Sequence, residues 1–275
     1  MKKILLITVM ILGIAANSYA FSLGGATGDI LLKFSGFTSS QDANWLSGGQ
    51  PTTWGVMRLT SIEDSLGITQ YWSPTSSGED IYGLFYGLVD NQIIINGVND
   101  VTLNQIGGNF ALYISADATD TDEYLIQQGP GGRTGVAAYN SITNIADGQL
   151  FLSGVFSPGI VSGEGGNGVT TVQQNLNSST SPANGNGTGY ADINGGNYAN
   201  LFNTNALVDA YGNKHDLKFD FTVNDKLLTG ANIPYNWDQF INDPIQASVV
   251  IPEPASMLLL GSGLFGMVGL RRSKK

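Results

Sequence analysis

The sequence predicts an all-β fold, an antiparallel β-sandwich or barrel-like single domain, and three observations carry that expectation. Apolar and polar residues alternate with period two in segment after segment, turn-forming residues separate those segments, and helix signals are confined to one short stretch. Of 275 residues 42% are hydrophobic, so there is enough apolar material for a core, while only 12% are charged and 37 are glycine. A wholly disordered chain does not have that balance.

The clearest strand covers 216–223, where Leu217, Phe219, Phe221 and Val223 point one way and Asp216, Lys218, Asp220 and Thr222 the other. The same alternation sets Phe110, Leu112 and Ile114 against Ala111 and Tyr113 in 109–115. Further strands are expected over 29–37, 54–62, 81–89, 92–98, 149–156, 168–173, 189–193 and 247–251. Asp90-Asn91, Asn96-Gly97, Asp147-Gly148 and Asn194-Gly195-Gly196 read as the turns between them. A short helix is expected between Asp117 and Gly129, which opens on acidic residues and closes on glycine. The glycine- and asparagine-rich zone 159–196 reads as a large mobile loop centred on 175–189. One domain spanning 21–245 accommodates all of these elements.

Several function classes are excluded by residue counts alone. Zero cysteines rule out disulfides, thiolate zinc sites and cysteine nucleophiles, and one histidine, His215, rules out any site needing two imidazoles. The formal charge is −10, and six of the twelve cations lie at the two chain ends. Between 21 and 250 there are 21 acidic and 6 basic residues, a net charge of −15. No nucleic-acid-binding stripe can be built from that body.

The ends carry addresses. Lys2 and Lys3, the apolar run 4–16 and the small residues Ser18 and Ala20 form a secretory signal with cleavage expected after Ala20. At the other end, 246–254 is a linker ending in Pro252-Glu253-Pro254, whose two prolines hold the backbone extended and exposed. The uncharged stretch 255–270 is expected to form a transmembrane helix of about 24 Å, short for a bilayer core. Arg271, Arg272, Lys274 and Lys275 act as the cytoplasmic stop. Gly261 to Gly266 fits a dinucleotide-binding glycine pattern in letters only, since no strand precedes it; Gly263, Gly266 and Gly269 instead give a smooth helix face.

The ordered array Pro252-Glu253-Pro254, Leu258-Leu259-Leu260-Gly261 with Gly263-Leu264 and Gly266, then Arg271-Arg272 resembles the PEP-CTERM sorting signal of bacterial exosortase substrates. The resemblance implies secretion machinery and an exosortase-type processing enzyme as partners, and a precursor anchored in the inner membrane. It also implies removal of the helix and a mature form secreted or held at the surface or extracellular matrix of a Gram-negative bacterium that makes exopolysaccharide, biofilm or flocs. Pro252, Glu253 and Pro254 are then recognition residues of a substrate.

Candidate chemistry in the body is sparse. Asp117, Asp120, Asp122 and Glu123 are hard oxygen ligands at a spacing able to hold Ca²⁺, although they lack the glycine and distal glutamate of an EF-hand loop, and a charged helix start explains them as well. Trp45 and Trp237 offer flat faces for stacking on sugar rings, against the alternative that they, with Trp54 and Trp72, fill a β core. His215 reads as a turn residue at a strand entrance, without a nucleophile or second ligand near it in sequence. No catalytic residue and no cofactor other than calcium is expected. The function expected is that of a non-enzymatic matrix, biofilm or floc component. A calcium-assisted polysaccharide-binding module is the alternative, and an extracellular glycoside hydrolase the third choice, because no carboxylate pair is recognisable.

Overall fold

The computed structural model describes residues 23, 26, 28–40, 52–115, 129–130, 148–160, 168–226 and 233–249. Twelve strands lie among them: β1 Gly28–Ser40, β2 Thr52–Asp64, β3 Gln70–Trp72, β4 Asp80–Asn96, β5 Asp100–Ser115, β6 Gln149–Ser157, β7 Val172–Asn177, β8 Ala183–Gly195, β9 Leu207–Val208, β10 Lys214–His215, β11 Leu217–Asp225 and β12 Gln239–Val249. Two one-turn helices, α1 Pro74–Ser77 and α2 Ala199–Phe202, accompany them.

All strand pairs are antiparallel, and the sheet closes on itself, because β1 pairs β12 on one side and β2 on the other. Around the ring the order is β1, β2, β4, β5, then β6 and β7 end to end in one position, then β8, β11 and β12. β6 pairs residues 109–114 of β5 while β7 pairs residues 100–105, so together they act as one interrupted strand. The result is an eight-position up-and-down barrel, not a sandwich of two sheets. Closure leaves the main sheet without the two long edges an open sheet would expose.

Eight strands enclose a space that side chains can fill. Inward residues Ile30, Leu32, Phe34, Leu59, Phe85, Phe110, Leu112, Phe156, Phe219 and Ile245 form the main core. Glycine makes room for the rings: Gly55 lies opposite Phe85, Gly154 opposite Phe110 and Gly187 opposite Phe221. A Cβ on Gly187 would lie 2.3 Å from the Phe221 ring. The glycine-rich zone expected to be a mobile loop is therefore, over 172–177 and 183–195, two barrel strands; in the second, Gly187 gives way to the Phe221 ring and Gly185 to the close-packed backbone at Asn175.

Two other expectations change. Asp90-Asn91 is not a turn: β4 runs through it with a bulge between Asp90 and Gln92, and the chain reverses at 97–99. The strand expected at 247–251 begins at Gln239 and contains Pro244, where the ladder to β11 is interrupted between Thr222↔Asn242 and Phe219↔Ile245. The helix expected after Asp117 lies outside the described residues apart from Gly129.

A second core sits on the outer face of β1, β2 and β4. Phe37, Trp54, Val56, Tyr82 and Leu84 gather there with Ile233 and Trp237, from the segment that leads into β12. Asp238 pins that segment: its backbone N–H donates to Thr38 O at 3.0 Å, and its carboxylate accepts from Ser39 Oγ at 2.8 Å and Ser40 N at 2.9 Å.

Candidate functional site

Three places hold the polar groups from which a site could be built. The first is inside the barrel, at the mouth formed by the β4–β5 and β7–β8 turns. Gln239 accepts from Thr38 Oγ1 at 3.0 Å and donates to Gln174 Oε1 at 3.1 Å and to the Asp225 carboxylate. Gln105 donates to Thr53 Oγ1 at 3.0 Å and to Asp90 Oδ1 at 2.7 Å. Burial pushes the Asp90 carboxyl up to about 6, with the Gln105 amide opposing the shift. Register explains the cluster: Gln239 lies opposite both Thr38 and Asp225, and Gln105 opposite both Asp90 and Val172.

Next to this network is a cavity lined by Phe34, Met57, Phe85, Phe156, Phe219 and Phe221 together with Thr38, Thr53, Gln105 and Gln174. The space open to the centre of a water molecule is about 30 Å³, and the buried Gln105 Oε1 has no protein partner among the described residues. That volume suits one or two waters and is far below the several hundred Å³ of an organic-ligand pocket.

The second place is around His215, in β10. Its ring is buried and stacks on Tyr190 at 4.8 Å, with Nδ1 3.2 Å from Asp192 Oδ1 and Nε2 3.3 Å from Asp209 Oδ2. Carboxylates only accept, so both contacts are hydrogen bonds only when the ring carries both protons. Burial pushes the Asp209 carboxyl up, but donors from the Asn213 side chain and backbone, His215 and the Tyr211 backbone outweigh it and hold it below the usual carboxylate range. Ser157 Oγ donates to Asp192 at 2.5 Å, not to the ring. The serine is thus on the wrong partner for activation by the imidazole. What the arrangement does is tie the β9–β10 hairpin to β8.

His215 was expected as a turn residue; the structure places it in a short strand, clamped between two carboxylates. Asp192 and Asp209 are 23 and 6 residues from it in sequence, and only the fold joins them. Trp237 is not available for stacking on a sugar: it is fully buried, with Trp54 at 5.3 Å and Phe37 at 6.0 Å between ring centres. Trp54 and Trp72 are buried as well. Trp45, Ala20 and the carboxylates Asp117, Asp120, Asp122 and Glu123 lie outside the described residues. Among the described residues no three His, Asp or Glu side chains are arranged to hold a metal ion.

The third place is the exit of the chain. β12 ends at Val249, paired with Gly28 at the mouth opposite the polar network, and Pro252, Glu253, Pro254 and the cations from Arg271 follow directly. Among the described residues no helix is long and apolar enough to cross a membrane, and 255–270 lies outside them. Residues 250–273 match the PEP-CTERM protein-sorting motif. No curated protein and no solved structure matches the chain.

Proposed function

Starting from a chain that carries the PEP-CTERM sorting motif, and so points to an exosortase-type system as its processing partner, we propose that this protein is a non-catalytic building component of an extracellular matrix, biofilm or floc. The signal at 1–20 starts export, the stretch 255–270 holds the precursor in the inner membrane, and processing near Pro252-Glu253-Pro254 releases the barrel to the surface. The observation that carries the proposal is the position of the motif, which begins one residue after the barrel's last strand. Removing the motif would therefore leave the ring of strands intact. A filled barrel and a histidine held by its own carboxylates support a structural role over a catalytic one.

With a net charge of −15 between 21 and 250, the body would meet an anionic matrix polymer through bridging divalent cations. Mass spectrometry of the protein recovered from the cell surface tests the processing step. The expected mature species begins at Phe21 and ends near Pro254. Recovery of a surface protein that still ends at Lys275 would overturn it.

A further inference from the structure

β4 outruns its neighbour. Its last partner on β2 is Val89, opposite Thr52, yet β4 continues to Asn96 with only β5 beside it. Among the described residues no strand pairs the β2-side edge of 91–96, so at this rim a short backbone edge of β4 has no strand partner among them. Ile93, Ile95 and Val98 are 39%, 73% and 95% exposed there.

Natural sheet edges are usually blunted by charge, proline or a covering element. Residues 91–99, Asn-Gln-Ile-Ile-Ile-Asn-Gly-Val-Asn, contain neither charge nor proline, and the bulge between Asp90 and Gln92 lies at the root of the edge and leaves 92–96 regular. The composition, three consecutive isoleucines flanked by amides, is that of a segment with strong cross-strand self-affinity. It is also chemically palindromic about Ile94: an antiparallel second copy centred there sets Ile94 on Ile94, Ile93 on Ile95 and Gln92 on Asn96.

We infer that the open edge of β4 docks a second copy of this chain, antiparallel and centred on Ile94, making a two-fold barrel-to-barrel contact. Charge favours this site for such a contact: each body has 21 acidic residues to 6 basic, and two copies repel wherever carboxylates meet, whereas nine consecutive uncharged residues meet here. Two six-residue edges bury less than the about 1,200 Å² of a lasting complex, so the association is reversible and dependent on concentration. The edge lies at the mouth opposite Gly28 and Val249, which leaves it accessible on a chain held by its C-terminus. None of this depends on the route of export.

The chain has no cysteine of its own, so single introduced cysteines report the register directly. Residues directly opposite across an antiparallel pair have Cα atoms about 4.5–5.5 Å apart, within disulfide reach, while residues offset by two positions lie beyond the about 7 Å limit. The full chain, in non-ionic detergent that shields 255–270, is prepared as Ile93→Cys and as Ile95→Cys and oxidised separately and mixed. The mixture is expected to give disulfide-linked dimer at several times the yield of either variant alone. A further Ile94→Lys change in both chains is expected to lower that yield to the level of Val208→Cys at the other end of the barrel. Screening the acidic bodies by raising salt from about 10 to about 150 mM should increase the mixed yield. Equal yields from the mixture and the single variants, or a mixed yield unchanged by Ile94→Lys in a chain with wild-type melting temperature, would overturn the contact. Contact through the membrane stretch alone gives the first of those results, and parallel pairing gives dimer from Ile93→Cys by itself.

Discussion

The two mouths of the barrel are closed by opposite means. At the mouth where the chain enters and leaves, the plug is apolar: α2 lies against β6, β8 and β12, and its Phe202 is fully buried against Phe151 at 5.7 Å. Asp216 secures this plug by accepting backbone N–H groups from Ile193, Thr204 and Asn205 at 2.7–2.8 Å. At the far mouth the closure is a hydrogen-bonded set of amides, a threonine pair and two carboxylates around a cavity the size of one or two waters. Apolar burial resists opening by loss of contact, whereas a polar set resists only as long as every member keeps its partner. The near mouth should therefore dominate stability, and the far mouth should respond to pH.

The sharpest way to break this contrast is Phe202→Ala, expected to cost about 3–5 kcal/mol by urea unfolding because a fully buried ring is replaced by a cavity. A cost as small as that of any far-mouth change would refute the division of labour. Between the two mouths, Gly187→Ala forces a methyl onto the Phe221 ring and should cost about 1–3 kcal/mol, with a lowered melting temperature as the readout. Gln239→Ala removes a donor from Gln174 and Asp225 and an acceptor from Thr38, for a loss of about 1–2 kcal/mol.

The smallest effect carries the sign. A carboxyl whose folded-state pKa is raised, as Asp90's is to about 6, adds stability that is complete below its unfolded value near 4 and is lost as pH climbs through 6. Asp90→Asn should therefore be more stable than the parent at pH 7, by about 1–2 kcal/mol at most for a partly exposed group, and the difference should vanish by pH 4. Melting curves of the two proteins from pH 4 to pH 7 give the comparison. A constant offset across that range would detach Asp90 from the pH response of the far mouth.

Strand alternation in 109–115 and 217–223 was legible because each of those segments buries one face more deeply than the other, and β5 and β11 contain both. The choice between the sandwich and the barrel was not, since closure depends on β1 meeting β12 across 201 residues at Thr38 and Gln239. Glycine misled in 175–189, where Gly185, Gly187 and Gly189 sit against the Asn175 backbone, the Phe221 ring and Val172, and mark close packing and not freedom of the backbone. The sorting segment was fully readable because its parts are contiguous and act by order along the chain. His215 shows the reverse: its meaning lies in Asp192 and Asp209, which no local pattern connects to it.

The pairing of β12 also has a mechanical consequence. Its eleven register pairs with β1, from Thr38↔Gln239 to Gly28↔Val249, run parallel to the direction in which a tether at residue 250 would pull if the far rim were held. Inter-strand hydrogen bonds lie across that direction, so such a force shears the whole ladder at once instead of opening it one rung at a time. A barrel gripped by its rim at one end and by its last strand at the other is loaded in the orientation it is best built to bear.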